Sequence, residues 1–206
     1  PKLSGSERKT LENRYELIKK LIETHTQKSY KFEPCIFPWN TETLNRCNFA
    51  ERLAFCAFCL DDTEKLEYVA DLIPETDTWQ RGNVVHALLA QPRTAKLKKT
   101  LYLTIGDKAE YGRNAAFDIA DELPLYTEFV PVLEDLTKFK NNDIRNYAAK
   151  MLLKQDNAGI FNTIEKIGTI CEFEEQKPQQ IIKRLKAICN AYKVQFDEKD
   201  LQYLIE

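Results

Sequence analysis

The sequence predicts an all-α fold, a right-handed superhelical array of antiparallel helix pairs with a period of 32 residues. The first observation is three arginines spaced 32 apart. Arg81, Arg113 and Arg145 each open the same short phrase, R-G-N-V-V-H-A-L-L, R-N-A-A-F-D-I-A-D and R-N-Y-A-A-K-M-L-L. Aligned on the arginine, small or apolar residues share offsets: Val84, Ala116 and Ala148; Val85, Phe117 and Ala149; Leu88, Ala120 and Leu152. Second, the intervening segments keep the same register, with Leu97, Phe129 and Phe161 also 32 apart, and Thr100, Val132 and Ile164 likewise. Third, 6 glycines and 8 prolines in 206 residues are few, as expected when most residues are helical and turns are short. A helix pair cannot bury its apolar stripe alone, so stacking on neighbours supplies most of the stability.

Taken in order, residues 6–29 carry Leu11, Tyr15, Leu17, Ile18, Leu21 and Ile22 as the apolar stripe of a first helix. Residues 30–40, Y-K-F-E-P-C-I-F-P-W-N, hold two prolines among aromatics and are expected to be irregular and extended. Residues 43–60 return to helix, with Phe49, Leu53, Phe55, Cys56 and Leu60 inward. Arg46, 35 residues before Arg81, opens a degenerate copy of the arginine phrase with Phe49, Ala50 and Leu53. Asp61, Asp62 and Thr63 offer caps for a helix over 63–73 that ends at Pro74. Helices are then expected over 77–90, 93–105, 108–123, 125–138, 141–154 and 157–171, with Pro92, Pro124 and Pro131 at or near first turns. A charged hinge, E-F-E-E-Q-K-P-Q-Q, precedes closing helices over 181–192 and 197–205. The expected organisation is an N-terminal helix and irregular segment over 1–42, repeats over 43–171 and capping helices over 172–206, all in one domain.

Composition narrows the function. With 43% apolar and 30% charged residues the chain is a folded protein and not a disordered one. A net charge of −2 gives a field that favours neither nucleic acid nor an anionic membrane. No apolar run approaches the roughly 20 residues of a membrane span, so no membrane partner is expected. The opening P-K-L-S-G-S-E-R-K-T has charge without an apolar core behind it, unlike a signal peptide. Lacking an initiator Met, the chain is expected to be a mature fragment of a larger protein.

Of Cys35, Cys47, Cys56, Cys59, Cys171 and Cys189, four lie inside apolar helical phrases, and F-C-A-F-C-L reads as a buried helix face. Reduced, buried thiols in a cytoplasmic protein are expected. The cysteines from 35 to 59 match no standard metal spacing. No Ser/His/Asp set, phosphate-cradling glycine loop or H-E-x-x-H helix is present, so no catalytic residue, cofactor or metal is expected. His86, Asp118 and Lys150 share one offset, on the concave side or its rim, or else on an ordinary solvated face. Their differing chemistry suits a shaped partner better than a uniform polyanion. The basic run at 91–99, with Arg93, Lys96, Lys98 and Lys99, offers cations to phosphates but is read as a solvated convex face.

The phrase D-I-R-N-Y-A-A-K-M-L-L at 143–153 resembles the second helix of a HEAT repeat, in which an Asp and an Arg bracket the turn and small residues let helices approach. Asp77 with Arg81, and Asp107 or Glu110 with Arg113, supply further copies, and the likeness covers about 43–171. The carboxylate is expected to cap a helix N-terminus, and the guanidinium to bridge carboxylates or carbonyls of the next unit. The resemblance implies the fold and a concave surface that holds protein or nucleic acid, without implying an activity.

A narrower resemblance is to HEAT-like DNA glycosylases acting on alkylated purines. These set a Trp and, four residues later, an essential Asp on the concave face, with an Arg and an aromatic from later repeats. Trp79, Asn83, Arg113 and Tyr147 follow that layout, but the amide of Asn83 cannot supply the charge that would stabilise a cationic sugar. The expected function is a cytoplasmic, non-enzymatic scaffold that binds a protein partner through Trp79, Asn83, His86, Arg113, Asp118, Tyr147 and Lys150. The alternative is a DNA-binding or lapsed glycosylase-type protein, with Arg113, Lys150 and Lys154 against phosphates.

Overall fold

The computed structural model describes residues 3–24, 29–32 and 42–152, together with Lys154, Gln155, Gly159, Asn162 and Thr163. Among these the fold is all-α in class, with eight α-helices and one short antiparallel ribbon. The first unit holds α1 (Gly5–Thr24), β1 (Ser29–Phe32), β2 (Glu42–Asn45), α2 (Arg46–Leu60), α3 (Thr63–Ala70), α4 (Arg81–Leu89), α5 (Ala95–Thr104) and α6 (Glu110–Glu122). The second holds α7 (Val130–Leu136) and α8 (Asn142–Leu152). These units span Pro1–Leu123 and Pro124–Glu206, a division that falls inside the stretch expected as one array. At this boundary Pro124 drives Leu123 to an extended φ of −93° and ψ of 156° and so ends α6. Expected helices over 181–192 and 197–205, most of 157–171, and Cys35, Cys171 and Cys189 lie outside the described residues.

Side-chain caps set the observed boundaries. Asn45 and Asn48 cap each other's backbone N–H, so α2 starts at Arg46 and not at 43, and β2 takes the residues before it, paired to β1 with Ser29 opposite Asn45. Asp61 closes α2 in the left-handed region, at φ 50° and ψ 42°, donating its N–H to the Ala57 and Phe58 carbonyls. Asp62 then caps α3 by accepting from the Lys65 N–H at 3.2 Å. The Asp77 side chain accepts from the Trp79 N–H at 2.9 Å, holding a turn there and delaying α4 to Arg81. Thr94 caps α5 through the Leu97 N–H.

Two expected core positions are corrected. Leu17 is 61% exposed, because it lies about 200° around the helix from Tyr15, while Tyr15, Ile18 and Ile22 make the buried stripe. Phe55 is 44% exposed, about 120° off the Phe49, Leu53, Cys56 and Leu60 stripe.

Helix α1 runs antiparallel along α2, with Arg8 donating to the Leu60 carbonyl at one end and Arg46 to the Ile22 carbonyl at the other. Helix α4 packs between α2 and α6, and α3 lies against α5, with α2–α3, α4–α5 and α5–α6 contacts tying the two rows together. Val84, Leu88, Ala116 and Ala120 are buried here, as the 32-residue alignment expects, and Leu97 and Leu101 also face inward. In the second unit α7 packs on α8, and Ala148 and Leu152 are buried.

Leu88→Ala should cost about 2–5 kcal/mol in urea unfolding, the range for a buried leucine that leaves a cavity. A loss under about 0.5 kcal/mol would contradict the seam. The cap at Asp62 predicts a pH dependence. Its carboxyl is held below the ordinary range, first by the Lys65 N–H, so its stabilisation is present above the unfolded carboxyl pKa and is lost as pH falls through the folded value. Asp62→Ala should cost about 1 kcal/mol at neutral pH. The difference from the natural chain should close on acidification below about pH 4.

Candidate functional site

Arg81, the first residue of α4, is 8% exposed. Its guanidinium pairs with Asp107 Oδ1 at 2.7 Å and donates to the Pro74 and Thr76 carbonyls, each at 2.8 Å, and to Thr76 Oγ1 at 3.4 Å. Asp107 Oδ1 also accepts from the Ala109 N–H at 2.7 Å, so one carboxylate oxygen holds Arg81 and the chain entering α6. As expected of the Asp–Arg phrase, the Asp77 carboxylate serves a backbone N–H ahead of α4, that of Trp79, and the Arg81 guanidinium reaches a carboxylate 26 residues onward.

The other repeat arginines share part of this pattern. Arg113 donates to the Lys108 carbonyl at 3.2 Å and Arg145 to the Lys140 carbonyl at 3.3 Å. As with Arg81 and Thr76, the acceptor stands five residues upstream. Arg46 pairs with Glu75, which lies 32 residues before Asp107, and that hydrogen-bonded carboxylate pushes the Arg46 pKa up. At Arg81, Arg113 and Arg145 the arginine is thus a staple that pins the turn before its helix, and Arg46 and Arg81 also tie their helices, within the first unit, to the turns that precede α4 and α6.

Two glycines make room for it. A Cβ on Gly112 would stand 2.9 Å from Arg81 Cδ and 3.0 Å from its Cγ. A Cβ on Gly82 would stand 3.1 Å from the Tyr111 carbonyl oxygen. The N-terminal ends of α4 and α6 therefore meet closely around the arginine stem.

Outside this seam Trp79 is 70% exposed, its ring centroid 5.1 Å from that of Tyr111 with the planes tilted by 36°. Tyr111 is itself 49% exposed. Asn83 is exposed on α4 and donates to the Gln80 side chain at 3.0 Å. His86 on α4 and Asp118 on α6 are exposed as well. Carboxylates stand close by: Asp77 at the Trp79 N–H, Glu51 accepting from the Asp77 N–H at 3.0 Å, and exposed Glu110 beside Tyr111. Burial pushes the nearby Cys47 thiol pKa up, with Glu51 and Asp77 adding to the rise and Arg81 opposing it.

Arg113 is the site residue the structure removes from the surface. It is 6% exposed, its guanidinium spent on the fold, because its offset is that of the staple. Tyr147 and Lys150 lie half-buried on α8 of the second unit. Tyr111 was missed, although it stands two residues before Arg113 as Trp79 stands two before Arg81. In the basic run, Arg93 pairs with Asp61 at 2.9 Å and Lys96 with Asp71 at 2.7 Å. Cys47, Cys56 and Cys59 are free, but Cys59 is exposed, correcting its expected burial. Among the described residues no three His, Cys, Asp or Glu side chains group as a metal ion would require, and no helix is long and apolar enough to cross a membrane.

Residues 3–203 match the model of a family of unknown function, DUF5724, and the chain belongs to that family. No curated protein and no solved structure matches it significantly.

Asp107→Ala should destabilise the first unit by about 3–5 kcal/mol, since it strands a buried guanidinium. Gly112→Ala should cost about 1–3 kcal/mol by forcing the Arg81 stem aside. Both are read from urea unfolding midpoints, and a neutral Asp107→Ala would show that the pair does not hold the seam.

Proposed function

We propose that this DUF5724 chain is a non-enzymatic protein-interaction scaffold that binds its partner on the face carrying Trp79, Tyr111, Asn83, His86 and Asp118. The observation that carries this reading is the Trp79–Tyr111 pair, two large rings in mutual contact and left open to solvent. Exposed aromatic clusters of this kind supply contact area at low entropic cost and dominate the energy of interfaces. The buried Arg81–Asp107 pair beneath gives the rings a fixed base, so little ordering remains to be done on binding.

The scaffold is a HEAT-like array of antiparallel helix pairs, a right-handed superhelix with a 32-residue period. The recurring arginine staple and the buried equivalents of Val84 and Leu88 support that architecture. A cytoplasmic setting fits the free thiols of Cys47, Cys56 and Cys59. The nucleic-acid reading, a DNA-binding or lapsed glycosylase-type protein, has lost its central cation, since a phosphate contact needs a guanidinium at the surface and that of Arg113 is spent inside.

The test is affinity capture from the native host with the natural chain and with Trp79→Ala, an exposed position whose loss should leave the thermal midpoint unchanged. At least one recovered protein should fall by about tenfold or more with Trp79→Ala, as for a residue central to an interface. Recovery of nucleic acid without any Trp79-dependent protein would reverse the reading.

A further inference from the structure

We propose that the Trp79–Tyr111 pair is a cradle for an arginine side chain on a basic segment of the protein partner. The proposal rests on the interaction reading above and names the chemistry it selects. Tyr111 leans on the indole, yet most of the Trp79 ring stays exposed, so one contact leaves room for a second planar group. The face of an indole carries negative electrostatic potential, and a guanidinium is the planar, weakly hydrated cation best suited to stack on it.

The charges around the rings decide between a cationic and an anionic occupant. Asp77 is anchored at the Trp79 backbone, and Glu51 is anchored in turn to the Asp77 backbone. Glu110 precedes Tyr111 in the first turn of α6, and Asp118 lies seven residues beyond Tyr111, on the same face of that helix. Against these four carboxylates the two arginines of the seam point inward. Arg81 is held by Asp107 and two carbonyls, and Arg113 donates to the Lys108 carbonyl, with both side chains buried. Among the described residues, Lys108, three residues before Tyr111, and Arg52, next to Glu51, are exposed cations here, and Arg46 is taken up by Glu75, so four carboxylates stand against two lysine or arginine side chains. The balance is acidic, so a phosphate or an acidic peptide would meet repulsion where a guanidinium meets complementary charge.

The same fold that consumes its own arginines therefore leaves an aromatic pair and an excess of carboxylates outside. An incoming arginine would stack on Trp79 while its N–H groups reach a carboxylate, the bidentate chemistry for which guanidinium is suited.

The test uses the full chain with labelled indole nitrogens, the Trp79 signal being distinguished from that of Trp39 by Trp79→Phe. An acetylated, amidated tetra-arginine peptide should shift the Trp79 resonance saturably and more weakly at high salt, since the carboxylates are exposed. Tyr111→Ala should weaken that binding about two- to fivefold, the effect of one exposed cation–π partner. The paired isosteric changes Asp77→Asn and Glu110→Gln, which keep the turn and the helix, should weaken it while leaving the unfolding midpoint in place. An unmoved Trp79 resonance overturns the proposal, as does an equal response to tetra-glutamate or to a short DNA duplex. If tetra-arginine fails while Trp79→Ala still abolishes capture of a protein, the cation preference falls and the scaffold reading stands. If tetra-arginine shifts Trp79 but no captured protein depends on that residue, the cradle stands and the scaffold reading falls.

Discussion

The first unit depends on a guanidinium taken out of water. Removing a charge from solvent costs several kcal/mol, and Arg81 offsets that cost only because each nitrogen of its fork meets an acceptor. Such a pair is weak evidence for net stability and strong evidence for position, since almost any displacement would strand a charge. The Pro74–Thr76 turn, the start of α4 and the entry to α6 are therefore fixed to one another. Gly112 follows from the same constraint, for nothing larger than a hydrogen fits beside the arginine stem. Trp79 and Tyr111 follow too, carried on the outer side of two helix ends whose separation the pair sets.

Where the device recurs, its surroundings change its weight. Arg46 makes the analogous contact to Glu75 in a half-exposed setting, where solvent screens the charges and the pair contributes little. Arg113 keeps the upstream carbonyl, but the residue 32 beyond Asp107 is Phe139, so no carboxylate stands at that offset for it. Arg145 likewise serves the carbonyls before its own helix. Lysine could not substitute at Arg81, because a single ammonium cannot hold two carbonyls and a carboxylate in one plane. What all three phrases share is the local half of the staple, the bond to the carbonyl five residues back. The link to a following carboxylate is optional and is used where the acid is present.

These buried positions were legible because three phrases in register average out local noise, so Val84, Leu88, Ala116 and Ala120 in the first unit, and Ala148 and Leu152 in the second, could be named from spacing alone. Leu17 and Phe55 were misread because they were counted as apolar without asking where each sits around its helix. Starts were misplaced where side chains compete with the helix for backbone groups, as Asp77 does for the Trp79 N–H. The pairing of β1 with β2 was hidden because four residues on either side of a proline-containing stretch carry no alternation long enough to read.

Arg113 and Tyr111 show why the site itself was harder to see. In an array, a residue type that returns at a fixed offset meets the same neighbours in every copy, and that is the condition for a structural role. Arg81, Arg113 and Arg145 share the bond to the carbonyl five residues back, so their recurrence argued for a structural role and against a binding one. Positions without such a role are free to differ from copy to copy. His86, Asp118 and Lys150 differ in this way, and so do Trp79, Tyr111 and Asp143, each two residues before its arginine. Arg81 and Arg113 are consumed inside this framework, which on the proposed reading leaves the carboxylates beside Trp79 and Tyr111 to set the sign of what the surface attracts.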